Sequence, residues 1–139
     1  MIPLIRTVPI VPMTNNQRER AHWSTLKKEK DDWTLLIPLC AEANRQQEGE
    51  RRMVEIVFCK TKGPESDPDN LHARCKSILD ALVRRGWMID DSPKYIDLRV
   101  SETTRARRTA TVIAVSDTSE ESIDEKRPWK EVVYGEDAA

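Results

Sequence analysis

The chain has 139 residues, 38% of them hydrophobic and 34% charged, with a net charge of −1. That is the length of one domain with a lean core, and no run of about 18 apolar residues offers a membrane span. Charge is uneven: eight acids face three bases from Asp117 onward, so residues 1–116 are net basic, which weakly favours an anionic partner.

The start, Met1-Ile2-Pro3-Leu4-Ile5, has no signal-peptide pattern, so a cytoplasmic setting is expected. Residues 2–11 are extended in character, and Pro3, Pro9 and Pro12 argue for an edge strand because proline cannot donate to a ladder. Thr14-Asn15-Asn16 is a turn signal. A helix follows from about Trp23, with Leu26, Trp33, Leu36, Ile37 and Cys40 on its apolar face. Pro38 kinks or shortens it. Residues 44–52 are a polar connection. Met53 to Lys60 is a strand, with Val54, Ile56 and Phe58 on one side and Glu55, Val57 and Cys59 on the other. Residues 61–66 form a loop.

A second helix is expected from about Pro68 to Arg85, stopped by Gly86. Tyr95 to Ser101 is a strand with Ile96, Leu98 and Val100 inward. Glu102 to Arg108 reads as a charged hairpin loop, and Thr109 to Val115 as the last strand. The order β-α-β-α-β-β predicts an α/β or α+β domain over residues 1–116. It has a mixed sheet of about four strands, with two main helices on one face. Residues 117–139 are an acidic tail, poor in apolar residues and loosely held, with Trp129, Val132, Val133 and Tyr134 available for docking. Cys40, Cys59 and Cys75 are odd in number and lack CxxC spacing, which predicts buried free thiols. His22 and His72 are too far apart in sequence to suggest a zinc site, and a structural hydrogen bond is the expected role of His22. Trp23, Trp33 and Trp87 are expected as core or interface anchors.

The chemistry concentrates around the second helix. Asp67-Pro68-Asp69-Asn70 opens it, and Asp90-Asp91 follows its end. Successive helical residues turn by about 100°, so Leu71, Cys75, Ile78, Leu79 and Leu82 form one apolar stripe. On the same arithmetic Asp69, Lys76 and Asp80 share the opposite face, with Lys76 and Asp80 each within about 20° of Asp69. Each piece has a bland reading. Asp67 is an N-cap with proline at N1, Asp69 complements the helix dipole, and Lys76 with Asp80 is a solvated pair. Three or four carboxylates brought together, however, call for a hard cation such as Mg²⁺.

These residues resemble the RusA family of Holliday-junction resolvases, small phage-type endonucleases. The resemblance rests on Asp67, Asp69 and Asn70, on Lys76-Ser77-Ile78-Leu79-Asp80-Ala81-Leu82, and on Gly86, Asp90 and Asp91. Thr14-Asn15-Asn16 and Arg20-Ala21-His22-Trp23 extend it more weakly, over roughly residues 2–115. In the family pattern the lysine lies about one turn after the second aspartate. Here His72-Ala73-Arg74-Cys75 intervene, and Lys76 lies two turns away.

The resemblance implies a RusA-like fold and a Mg²⁺-dependent endonuclease, with Mn²⁺ as a substitute, that resolves four-way DNA junctions by paired cuts. It implies a homodimer in a bacterial cytoplasm, phage- or prophage-encoded. It assigns Asp67, Asp69, Asp90 and Asp91 to the metal, with Asp67, Asp69, Asp91 and Lys76 catalytic. Asn70, Arg74, Arg84, Arg85, Arg105, Arg107 and Arg108 are candidate DNA contacts, together with Arg99, although for any single arginine surface solubility is the favoured reading. Two other readings stand beside it: a branched-DNA binder without nuclease activity, and an interaction domain in which the aspartates are caps and turns.

Overall fold

A computed structural model describes residues 2–117. Strand β2 (Arg52–Cys59) is buried along its whole length, as expected of an apolar strand covered on both sides. It pairs in parallel with β3 (Ile96–Thr103) and antiparallel with β4 (Ala110–Asp117). Strand β1 (Leu4–Val8) adds to the far side of β4, giving a mixed sheet of order β1-β4-β2-β3. The fold is α+β. Two helices, α1 (Asn15–Arg20) and α2 (Trp23–Leu36), join β1 to β2. Two more, α3 (Pro68–Arg74) and α4 (Lys76–Arg84), join β2 to β3.

The core lies between one sheet face and the helices. Val54, Ile56 and Phe58 of β2 meet Trp33 and Ile37 from the α2 region and Cys75, Ile78, Leu79 and Leu82 from the α4 region. The apolar stripe expected around α4 is therefore the buried one. Alpha-helix α2 ends at Leu36, and Ile37 is already extended, because the residue before a proline disfavours the helical region.

Four expectations need correction. The Thr14 turn is the start of α1: Thr14 and Gln17 form a reciprocal capping box, a signal present in the T-x-x-Q spacing. The expected single helix 68–85 is two helices. At Cys75 the backbone N–H bonds to His72 O, while the thiol donates to Leu71 O, the carbonyl a continuous helix would have offered that N–H. The Glu102–Arg108 loop does not make a hairpin, since β4 inserts between β1 and β2 and does not pair with β3. That loop crosses the end of β2, where Ala106 N donates to Lys60 O at 2.9 Å after a left-handed Arg105 (φ 61°). Trp23, expected as a core or interface anchor, is 70% exposed and so is no part of the core.

Strand β4 runs through Asp117, and the rest of the expected tail, 118–139, lies outside the described residues. Among the described residues no helix is long and apolar enough to cross a membrane.

Alpha-helix α4 closes with two bonds, Gly86 N to Val83 O at 3.1 Å and Trp87 N to Leu82 O at 3.0 Å, a Schellman motif. Gly86 takes φ +84°, and an added Cβ would lie 3.0 Å from the Arg45 side chain. Gly86→Ala should therefore lower unfolding stability by about 1–2 kcal/mol in chemical denaturation, the cost of a left-handed alanine. A neutral result would show that this turn relaxes freely.

Candidate functional site

Two loops present the acidic residues, and each is tied down by a buried polar group. The first leads into α3. Asp67 caps that helix, accepting from Asn70 N at 2.9 Å and Asn70 Nδ2 at 3.2 Å, with Pro68 in the first turn. Asp69 stands exposed one residue on. Just before them, Ser66 donates its N–H and hydroxyl to Glu102 of β3, at 2.7 and 2.9 Å. Lys60 lies 3.1 Å from the same carboxylate, whose side chain is only 3% exposed. Burial pushes the Glu102 pKa up, but the bonds from Ser66 and Lys60 outweigh it and hold the group below its ordinary range.

The second loop returns from α4 to β3. Its backbone is gripped from below. The buried Arg52 guanidinium donates to Trp87 O and Asn44 O. Gln46, also buried, accepts from Ile89 N at 2.9 Å and donates to Tyr95 O at 2.8 Å. Trp87 Nε1 bonds Pro38 O at 2.7 Å. These bonds fix residues 87–95 on both sides of Asp90-Asp91.

The return brings Asp90 and Asp91 beside α4. They line an open cleft of about 350 Å³ with Lys30, Lys76, Asp80, Val83 and Arg84. Lys76 Nζ stands 3.4 Å from Asp80 Oδ1 and 3.4 Å from Asp91 Oδ2. Lys30 Nζ, from α2, is 2.9 Å from Asp80 Oδ2. Arg84 pairs with Asp31 at 3.0 Å. The Lys76 ammonium loses solvation by burial, yet Asp80 and Asp91 more than compensate and raise its pKa. Burial likewise acts to raise the Asp80 pKa, and the two lysines reverse it, holding the carboxyl below its usual range.

Asp80 and Lys76 thus share one face, as the helical angles require. Asp69 belongs to the separate helix α3, and neither it nor Asp67 lines this cleft. The expected cluster of Asp67, Asp69, Asp90 and Asp91 is divided between two loops. Among the described residues no three His, Cys, Asp or Glu side chains form a group able to hold a metal ion. The donors fit a hard cation in chemistry, being carboxylate oxygens. In this arrangement they are occupied, since Lys30 and Lys76 pair with Asp80 and Lys76 reaches Asp91, so a cation has to displace Lys76 from Asp91. Those lysine contacts are weak ones: half-exposed pairs contribute about 0–1 kcal/mol each, so Lys76 is readily exchanged for another ligand.

The candidate DNA-binding arginines divide sharply. Arg74 is a correction, since its guanidinium lies over the Phe58 ring, 5.2 Å from the centroid, and donates to Pro12 O. A group that is 9% exposed and used in packing is not free for a surface phosphate. Arg85 is similarly committed, donating Nε to Thr34 O at 2.7 Å. Arg84, Arg99, Arg105, Arg107 and Arg108 are exposed, and Asn70 is half-buried with its amide on Asp67.

His22 caps α2, accepting from Ser24 N at 3.2 Å, the structural role expected of it. All three cysteines are free and buried. Burial pushes the Cys59 thiol up to about 11 and the Cys75 thiol up to about 12, so neither is a nucleophile at neutral pH.

The sequence reading missed Arg52, Gln46 and Glu102 as positioning residues. Arg52 and Gln46 fell in a stretch read as a polar connection, and Glu102 in a stretch read as a hairpin loop. One signal was available for Glu102: it stands two residues beyond Val100, in register with the inward positions of β3.

No protein-family model matches the chain, and no curated protein matches it.

The Glu102 anchor has a pH signature. Its folded pKa is depressed, so its contribution is present above the unfolded pKa and lost as pH falls through the folded value. Glu102→Gln should flatten the loss of stability below about pH 4.3, the ordinary glutamate value. Glu102→Ala, which leaves the Ser66 N–H and hydroxyl without their acceptor, should cost about 1–3 kcal/mol at neutral pH. Denaturation curves from pH 3 to pH 7 measure both. An unchanged acid profile in the glutamine variant would remove Glu102 from this role.

Proposed function

We propose that this chain is a Mg²⁺-dependent endonuclease acting on branched DNA, with Mn²⁺ as a substitute. The observation that carries the reading is the return of Asp90-Asp91 to the lysine of α4. Lys76 stands at equal distance from Asp80 and Asp91 in an open polar cleft. A phosphodiesterase needs carboxylate oxygens and a mobile cation in one place, and this cleft offers both. Resemblance of Asp67, Asp69, Asn70, Asp90 and Asp91 to the RusA pattern supplies the substrate class, a four-way junction cut by a homodimer.

In this reading a bound divalent cation would activate water and polarise the phosphate. The chain's own residues do the rest. Asp90 and Asp91 would supply the oxygen donors in the cleft, and Asp67 and Asp69, which stand on the separate α3 loop, would join them only if that loop moves toward the cleft. Lys76 leaves Asp91 to balance charge on the phosphate. Exposed Arg105, Arg107 and Arg108 hold backbone phosphates, which makes binding fall with salt. Asp80, held by Lys30, keeps Lys76 at the cleft when Asp91 is otherwise engaged.

A second reading is a branched-DNA binder without cutting. It is favoured by the lysine contacts themselves, which already neutralise Asp80 and Asp91 without a metal.

Cleavage of a synthetic four-way junction in Mg²⁺ or Mn²⁺ separates the two. Asp91→Asn should lower cutting by at least about a hundredfold, at or beyond the roughly 10–100-fold typical of changes outside the metal's own ligands. Junction binding should persist or tighten, because a negative charge is removed from an anion's path. Binding of folded protein with no cuts under any metal supports the second reading. Equal affinity for branched and linear duplexes eliminates both.

A further inference from the structure

Trp33 and Trp87 are buried, whereas Trp23 is 70% exposed at the start of α2. Its surroundings are polar. His22, Ser24, Thr25 and Lys27 are exposed beside it. The His22 ring is fixed by the bond from Ser24 N–H and lies 5.5 Å from the indole, tilted by 39°, so it braces one side of Trp23. The core of a protein interface is depleted of charge. An exposed aromatic ring set among cations is instead the composition of a surface that stacks nucleobases.

Helical phase places this ring on the cleft side of α2. At about 100° per residue, Lys27 lies about 40° and Lys30 about 20° from the direction of Trp23. Lys30 lines the cleft and pairs with Asp80. Trp23, Lys27 and Lys30 thus form one row running out of the cleft, and the rise from Lys30 to Trp23 is about 10 Å, at about 1.5 Å per residue. The row leads toward α3. Glu29 meets Ser77, Lys30 meets Asp80 and Asp31 meets Arg84, so α2 and α4 run side by side in one direction. Helix α1, just before Trp23, packs on α3. Arg20, exposed at the end of α1, adds a second cation three residues before the ring.

We propose that Trp23 is a stacking platform for a nucleobase that a branch point leaves outside the duplex, with Arg20 and Lys27 taking the phosphates beside it. The assignment rests on the cleft being the place where branched DNA is held, and it names what selects the branch. Stacked strand advances about 3.4 Å per nucleotide, so a phosphate in the cleft and a base on Trp23 stand about three nucleotides apart. Taking a base out of the stack costs least where pairing is already interrupted. An indole that accepts such a base therefore adds affinity at a branch and none on linear duplex. The cleft supplies charge, and Trp23 supplies the discrimination.

Binding of fluorescent DNA without divalent cations separates affinity from cutting. Trp23→Ala should weaken binding to a four-way junction at least about fivefold, the low end for one lost base stack, and leave binding to linear duplex unchanged. Trp23→Phe should restore most of the junction affinity. The ring is exposed, so neither change disturbs the core. In the unaltered protein, iodouracil placed within about three nucleotides of the branch point should crosslink to Trp23 under ultraviolet light. Equal weakening on both DNAs, a junction preference kept by Trp23→Ala, or crosslinks confined to other residues overturns the proposal and leaves the cleft as a DNA site standing. No junction preference in the unaltered protein removes both. A change of oligomeric state in Trp23→Ala also overturns the proposal and assigns the ring to contact with a second copy of the chain.

Discussion

Parallel pairing of β2 with β3 is the constraint on which the rest depends. Two parallel neighbours cannot be joined by a tight turn, so the chain must cross back over the sheet, by rule with a helix on one face. The crossover from Cys59 to Ile96 is that connection, and it carries every aspartate of the candidate site except Asp31. Its apolar stripe, Cys75, Ile78, Leu79 and Leu82, is buried against the sheet. The remaining face of α4, with Lys76 and Asp80, is left toward α2 and solvent.

Polar groups then fix the two ends of the crossover. Glu102 holds the entry through Ser66, and Arg52 with Gln46 holds the exit around residues 87–95. Arg52 and Gln46 are buried and satisfied by backbone groups, while the Glu102 carboxylate is held by Ser66 and Lys60, and in each case loss of one partner is costly. The ends are rigid for that reason, while the cleft between Asp91 and α4 is bridged only by partly exposed lysines. Strong bonds set the positions of the loops, and weak ones bridge the cleft.

Much of this was legible in the sequence. Alternation in β2, the stop at Gly86, the Pro68 helix start and the apolar stripe of α4 are local patterns with fixed periods, and they appear where expected. The sharing of a face by Lys76 and Asp80 followed from the helical angle. Asp69 belongs to the separate helix α3 and lies outside the lining of the cleft, a division at Cys75 that the single angular count did not contain. The insertion of β4 between β1 and β2 was also illegible. Consecutive strands pair by default, and the long-range choice of partner leaves no local signal in the Glu102–Arg108 segment. The burial of Arg74 depends on Phe58 and Pro12, residues distant in sequence, and no charge count reveals it.

The central claim is that the cleft of Asp90, Asp91 and Lys76 is where a divalent cation meets this fold. Paramagnetic broadening of backbone amide resonances by substoichiometric Mn²⁺ reads that directly, residue by residue. The expected result is selective broadening of residues 89–92 and 76–80, extending to the Asp67–Asp69 loop and abolished by Asp91→Asn. Broadening confined to the acidic residues after Asp117, or uniform weak broadening with no selective loss at Asp90 and Asp91, would contradict the account.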